Sequence, residues 1–581
     1  MPSRVSALAA LLVALALPAA AGAQNPGDGA TAGTARNFEL VGHEPLFNRG
    51  MNAAVAVYHN YLYVGNRTDS SAGHPHPGLL VVDVSRPARP VVVNELPPEA
   101  IGQTTREMRV WPQQKLLMVM QFRCSPAIHA CPAVAPTVFS IKFYDLSNPR
   151  QPTLVSTYTP TRQPHEMFLW ADPLRAGRAL LYISTPTASS NPATANLIVT
   201  DISGWRTGTF TEVAQANWNQ LFTPEQIQTL DVALHSMSVS DDGTRTYLAY
   251  LGGGFFVLDT SDLASALPSP QLRLLTPIPN TPRWTNQTVH SAIPLPGRPF
   301  ALTTDELYGD LLDNPENDHG CPWGWGHSID VSDPANPRLI GEYRIDANTP
   351  GFCSTPAGQD DTRASYTAHN PTVWDDLAII SWHGGGLQAI DVSSPASPTQ
   401  AGFFTPTPLA SVATEDPALT TTGNRVAVWS FPIAKAGLVY VVDIRNGLYV
   451  LRYTGTAAAD VRRTIFREGN SNLAEACPVV TVTPRRLRED RRARLTARVE
   501  LFGHPVEKAR VRLTGLVSRA AFTGAAGAAR MAVRPSRPGT IVVRATNVAQ
   551  TCEARVRVAK TRRPRGGRLA EGGAPSTGRR F

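Results

Sequence analysis

The apolar positions of this chain fall into short strand-like runs and not into helical stripes. Within residues 365–404, "HNPTVWDD", "LAIISW", "GGLQAIDVS" and "PTQAGFF" read as four successive strands. The runs are β-branched and aromatic, and Gly, Asp and Pro punctuate them, as strands require. The third run ends on an aspartate that recurs at Asp83, Asp145, Asp201, Asp259, Asp330 and Asp391, in steps of 62, 56, 58, 71 and 61 residues. Four copies are nearly complete ("DVSRPARPVVV", "DLSNPRQPTLV", "DVSDPANPRLI", "DVSSPASPTQA"), and two are looser. A period of that length fits a propeller blade and not a helical repeat. The Asp and Ser can bond nearby backbone amides, while the prolines stiffen the crossing to an outer strand.

The two ends of the array complement one another. "VYVVDIRNGLYVLRYTG" stops without a fourth strand, while "FELVGHEPLF" near the N-terminus looks like the fourth-strand texts "PRLIGEYRI" and "PTLVSTYTP". The N-terminal strand is therefore expected to complete the last blade, leaving the ring no open edge. Counting predicts an all-β chain with a seven-bladed β-propeller over 37–456. A linker over 457–474 follows, then a second domain over 475–559 in which apolar and polar residues alternate. Residues 560–581, rich in Gly, Pro and Arg, read as a disordered basic tail.

The repeats resemble the LVIVD-repeat family, through "LLVVDVS", "LQAIDVS" and "VYVVDIR", over roughly residues 37–456. The resemblance implies a β-propeller and says little about activity. Residues 475–559 resemble bacterial Ig-like domains, so an Ig-like β-sandwich is expected there.

Composition sharpens this picture. Of 581 residues 42% are apolar and 17% charged, with 50 prolines and 44 glycines, which suits a turn-rich β protein and argues against a helical bundle. Residues 1–23 read as a signal peptide: a basic start, an apolar run and an Ala21-Gly22-Ala23 cleavage site. An uncleaved anchor is the alternative. Residues 24–36 are expected to be flexible. No later segment is apolar enough to span a membrane, so a secreted protein, extracellular or held at a bacterial-style envelope, is expected. Six cysteines suit that compartment, and proximity suggests Cys124–Cys131, Cys321–Cys353 and Cys477–Cys552, out of 15 pairings. No C-x-x-C occurs, which argues against redox catalysis. From Pro484 to Phe581 there are 24 Lys+Arg against 6 Asp+Glu, leaving 30 against 40 elsewhere. The basic C-terminal part is expected to meet polyanions such as an anionic envelope polymer. No phosphate-binding Gly loop, Ser-His-Asp signature or specific nucleic-acid fold is present.

Candidate chemistry concentrates on one face of the expected ring. Aligning the repeats on the first strand brings His165, His235, His290 and His369 into register, with Arg106 and Trp429 at the equivalent positions of other blades. His327 and His383 precede third strands on the same face, which also receives Asp305, Glu306, Asn66 and Arg67. Six of the 13 histidines thus gather at one rim. Imidazoles with a carboxylate suit a transition metal, and the expected ligands are His165, His235, His290 and His369 with Asp305 or Glu306. The structural alternative is that each histidine bonds the adjacent blade and seven inner strands leave a channel too wide for convergence. Trp325, in "CPWGWGHS", belongs to an insertion that Cys321–Cys353 would hold as an aromatic lid. The acidic run at 313–320 lacks the spacing of a calcium loop. Two functions are expected: a binding or interaction module for an unknown extracellular ligand or protein, with a His-lined face, or a metal-dependent enzyme using copper, zinc or iron.

Overall fold

The computed structural model describes residues 33–69, 71–98, 101–124, 139–307, 320–359, 366–417, 419, 426–476, 478–501, 504–547 and 550–561. The expected signal peptide, Cys131, Cys477, residues 313–319 and residues 562–581 of the basic tail lie outside them. The chain divides into two compact units, Met1–Glu475 and Ala476–Phe581. Among the described residues no helix is long and apolar enough to cross a membrane.

The first unit repeats one motif, an antiparallel meander of four strands. Glu166–Ala171, Ala179–Ser184, Leu197–Gly204 and Thr209–Ala216 pair in that order. The same order runs from Asn52–Tyr58 to Val91–Leu96, from Val289–Pro294 to Arg338–Tyr343 and from Pro371–Val373 to Thr399–Thr405. Second strands are buried on both faces, because neighbouring meanders cover each side. Leu180, Leu181, Tyr182 and Ile183 are all fully buried in succession. Hence these strands read as continuous apolar runs and not as alternating ones. The innermost strands from Asn52–Tyr58 to Pro371–Val373 pack each against the next, Thr372 Oγ1 donates to the Pro432 carbonyl at the start of the last meander, and Ile433–Lys435 packs against Asn52–Tyr58, so the meanders close a circle.

The recurring aspartate has one local task in all six copies. The backbone N–H of Ser85, Ser147, Ser203, Ser261, Ser332 and Ser393 donates to the carboxylate two residues earlier. This Asx turn releases the chain from the third strand and aims it at the fourth.

Phe38–Glu44 pairs antiparallel with Gly447–Tyr453 and so supplies the outer strand of the last meander. Two stretches differ from expectation. Thr34–Arg36, read as flexible, pairs with Thr399–Thr405, and the Arg36 guanidinium donates to Gln400. Residues 457–474, read as a linker, carry a helix, Ala458–Arg463, that buries Val461, and a strand, Thr464–Arg467, paired with Ile433–Lys435. The segment then reaches the inner strand of the third meander, where the Leu169 N–H donates to the Asn470 carbonyl at 3.1 Å. Its charged residues hid this role, since Arg467 and Glu468 are buried despite their polarity.

Arg49 ties the first meander together. Its guanidinium, 1% exposed, donates to Asn52 Oδ1 and to the carbonyls of His76, Gly78, Val64 and Gly65. Arg49→Ala leaves these acceptors buried and unpaired. A loss of about 3 kcal/mol or more is expected, read as a lower urea midpoint; an unchanged midpoint would contradict this assignment.

The second unit has two sheets around one core. Val479–Thr483, Ala493–Leu501 and Ala528–Val533 belong to one sheet; Arg510–Gly515, Gly539–Asn547 and Gln550–Ala559 belong to the other. Leu495, Val499, Val511, Leu513, Ile541, Val543 and Val556 fill the space between. Alternate positions are exposed and largely arginine, with Arg512 directly opposite Arg544.

Candidate metal centre

The first residues of successive inner strands form a belt of rings in contact. Ring centroids lie 4.5 Å apart for His165–His235, 3.9 Å for His235–His290, 4.3 Å for His290–His369 and 4.1 Å for His369–Trp429. The Arg106 and Arg67 guanidiniums lie 5.8 and 4.1 Å from the Trp429 ring. The alternative of a channel too wide for these side chains to meet does not hold: the inner strands bring the rings to van der Waals distance.

The latch between meanders uses the backbone carbonyls of the histidines. Ser184 Oγ donates to the His235 carbonyl at 2.6 Å, Thr304 Oγ1 to the His369 carbonyl at 2.6 Å, and Ser236 Oγ to the His290 carbonyl. With the carbonyls carrying the inter-strand bond, the imidazoles of His235 and His290 are left to face the interior. Ring nitrogens join neighbouring meanders as well: His369 Nδ1 lies 2.7 Å from the Trp429 carbonyl and His235 Nε2 lies 2.8 Å from His165 Nε2.

Glu306 stands at the centre of this belt. Its Oε2 is 3.4 Å from His290 Nε2, and its Oε1 is 3.4 Å from His369 Nε2 and 3.3 Å from His383 Nε2. Three bonds hold its backbone neighbours: Asp305 N–H to the Trp325 carbonyl, Glu306 N–H to the Thr288 carbonyl and Leu307 N–H to Thr367 Oγ1. His383 reaches the cluster from the turn after Leu377–Ser381, at φ +32°, a backbone region costly for a residue with a side chain. Gly386, three residues on, is held at φ +79°, where a Cβ would lie 2.2 Å from the Phe404 carbonyl. That turn is thus closed by glycine and aims His383 inward.

Electrostatics follow from burial. Removal from water holds the imidazoles of His165, His290 and His369 well below their usual range and brings His235 to about 4. Burial opposes ionisation of Glu306, but the His290, His369 and His383 rings outweigh it and hold its carboxyl well below the usual range. Burial thus favours the neutral form of His165, His235, His290 and His369, while the Glu306 carboxyl favours its ionised form. Next to it on the inner strands, burial pushes Glu107 up and Glu166 well above the carboxylate range, with Glu107 adding to the latter. Arg109 lies between them, 3.2 Å from Glu107 and 3.7 Å from Glu166. Sequence reading missed this pair, although each follows a rim residue, Arg106 or His165, by one position.

Not every expected residue joins the cluster. Asp305 faces away: Trp284 Nε1 donates to its Oδ2 at 2.7 Å, Thr288 N–H to its Oδ1 at 2.9 Å, and His327 Nδ1 lies 3.1 Å from Oδ2. Consecutive strand residues point to opposite sides, so Asp305 and Glu306 cannot both be ligands of one ion. His327 stacks on Trp284 at 4.3 Å. Trp325 is buried beneath the Arg344 guanidinium, and Trp323 is fully buried against Tyr366, so the tryptophans anchor their loop and present no open aromatic surface. Cys321 and Cys353 form a disulfide; Cys124 is disulfide-bonded as well. A cavity of about 400 Å³ lies elsewhere in the first unit, lined by Phe168, Asp241, Arg467 and Glu468 among others, and no member of the His–Glu306 cluster borders it.

The LVIVD-repeat family matches residues 49–96, 329–345 and 369–405, so the chain carries LVIVD repeats. No curated protein matches it. Solved structures similar to it include the β-propeller domain of Cps50 (Swd1) from Myceliophteria thermophila, at 8% identity and TM-score 0.37, covering 69% of this chain and 96% of that one. The Dos1 propeller is similar at 12% identity and TM-score 0.33, covering 72% and 88% of the two chains. A quinonprotein alcohol dehydrogenase-like protein from Bacteroides thetaiotaomicron is similar at 9% identity and TM-score 0.26, covering 89% and 100%. Scores of this size carry nothing about activity.

Proposed function

We propose that this protein is an exported binding module in which a seven-bladed β-propeller holds a transition-metal centre at its channel mouth, followed by an Ig-like domain. The centre consists of Glu306 with His235, His290, His369 and His383, and His165 adjoins it.

One observation carries the reading. The Trp429 carbonyl can only accept, so His369 carries its proton on Nδ1, and its Nε2 then turns a lone pair toward an oxygen of the Glu306 carboxylate. Two lone pairs facing each other repel unless a cation lies between them. Metal-bound histidines usually show this same arrangement, the second ring nitrogen donating to a carbonyl. The separations fit as well. At 3.4 Å the Glu306 contacts to His290 Nε2 and His369 Nε2 exceed the ~2.7–3.2 Å of an N–H···O bond. They equal the ~3.3 Å between neighbouring ligands of a tetrahedral ion with bonds of ~2.0–2.1 Å. Imidazole with carboxylate suits zinc, iron or copper.

Chelator-stripped protein offered Zn(II), Fe(II) or Cu(II) is expected to take up at least one of them stoichiometrically, measured by elemental analysis after gel filtration. Absence of any retained metal would sink the proposal. A second reading, in which the ion serves a reaction, is favoured by the partial exposure of His165, His235 and Glu306. A position on that side is open to solvent, as catalytic metal sites require.

The second unit is read as the part that meets an anionic envelope polymer. Directly opposed like charges destabilise a sheet, yet Arg512 faces Arg544 and Arg486 faces Arg557 on exposed positions. Binding to polyphosphate is expected to weaken with salt, and Arg512→Ser with Arg544→Ser to flatten that salt dependence. An unchanged slope would remove the polyanion reading.

A further inference from the structure

We infer that the centre binds two ions, with the Glu306 carboxylate bridging them. The inference rests on the reading of the cluster as a metal centre and adds its nuclearity.

The donors form two sets and not one. His235, His290 and Glu306 have ligand atoms mutually within 4.8 Å, and so do Glu306, His369 and His383; Glu306 is the member they share. A single ion with bonds of about 2.1 Å reaches only donors within about 4.2 Å of one another, and the five side chains do not form one group even within 4.8 Å, so one ion cannot serve them all. The carboxylate divides in the same way: Oε2 faces His290, while Oε1 faces His369 and His383. A carboxylate presenting one oxygen to each of two imidazole pairs is the arrangement that spans ions about 3.5–4 Å apart, the separation of two-metal sites.

Each half is then two imidazoles and one carboxylate oxygen, a donor set that suits Zn(II) or Fe(II) and leaves further positions free. The halves differ in their surroundings. The His369–His383 half is fully enclosed, both rings lying against Trp429 at 4.1 and 5.0 Å. The His235–His290 half is partly open, and His235 Nε2 lies 2.8 Å from His165 Nε2, so only one of those two nitrogens holds a proton. The enclosed half is expected to exchange its ion slowly and the open half quickly. His165 is placed to support the open half.

The test uses the full chain, stripped with a chelator and reloaded with Zn(II) or, for spectroscopy, Co(II). Elemental analysis is expected to return two ions per chain. His235→Ala with His290→Ala, and separately His369→Ala with His383→Ala, are each expected to retain about one. The unsubstituted Co(II) protein is expected to show a spin-coupled paramagnetic signal, a readout independent of how the variants fold. One ion per chain with no coupling, or loss of both ions in either double variant that keeps its circular dichroism, overturns the bridged pair and leaves a mononuclear centre standing. No ion at all overturns the metal centre itself.

Discussion

Glu306→Gln is expected to lower metal affinity by about 100-fold or more while leaving the metal-free protein at least as stable as before. Removing an outer partner of a metal ligand already costs 10–100-fold, and here the shared ligand itself loses its charge. At an ion concentration of about 100 times the dissociation constant, binding stabilises the fold by about 2.7 kcal/mol, so the metal-induced rise in melting temperature should disappear in the variant. In the metal-free state the sign reverses. Glu306 is a carboxylate with an 8% exposed side chain among imidazoles that burial keeps neutral. An amide removes that buried charge and offers an N–H donor to the lone pair of His369. A group that serves packing alone would behave otherwise: its variant would melt lower with or without metal. Thermal melts with and without Zn(II) distinguish the two, and a uniform drop in both would refute the metal assignment at this residue.

The contrast between Asp305 and Glu306 shows where sequence reading stopped. The repeat placed both at the end of one strand on the correct face, but the pleat sends neighbouring side chains to opposite sides. Which of the two faces inward depends on whether the strand ends one residue earlier or later. Here the strand ends at Asp305, which is taken by Trp284, Thr288 and His327, and Glu306 turns in. His165, His235, His290 and His369 were legible because they occupy one register position of a repeat, and the repeat is written in the Asx turn every copy shares. His383 was legible as a rim residue but not as a member of the cluster, because its approach depends on a positive φ. The buried pair Glu107 and Glu166 left no periodic signal, and the strap around Arg467 looked polar. Periodicity therefore carried the fold and the rim, whereas contacts made by single turns lay beyond it.

The inter-meander latch explains why a fold repeat can also carry chemistry. Ser184, Ser236 and Thr304 take over the bond that joins one meander to the next, and they take it from histidine carbonyls. The inner strands are thereby fixed through backbone carbonyls. Rigid strands holding oriented imidazoles meet the demand that a binding site be preorganised by its supporting bonds.

Deleting residues 33–44 is expected to open the ring and promote association between chains, with a loss on the order of 5 kcal/mol or more. The segment joins two meanders at once: Thr34–Arg36 extends one sheet along Thr399–Thr405, and Phe38–Glu44 completes the next along Gly447–Tyr453. Phe38 is buried 5.0 Å from the Tyr453 ring, and His43 stacks on Tyr449 at 4.5 Å with Nε2 2.8 Å from the Asn446 carbonyl. One buried aromatic contributes about 2–3 kcal/mol, and each ladder hydrogen bond adds about 1 kcal/mol net, so the sum exceeds what most single substitutions remove. Gly42 adds a steric requirement, since a Cβ there would lie 2.1 Å from the Pro87 carbonyl of the first meander. Without the segment, Gly447–Tyr453 presents a full unpaired edge, and such edges pair with other chains. Size-exclusion chromatography and thermal melts read both effects. A synthetic peptide of residues 33–45, added in excess, is expected to restore the melting temperature in proportion to its occupancy. A truncated chain that elutes and melts where the full chain does would show that the circle closes without this strand.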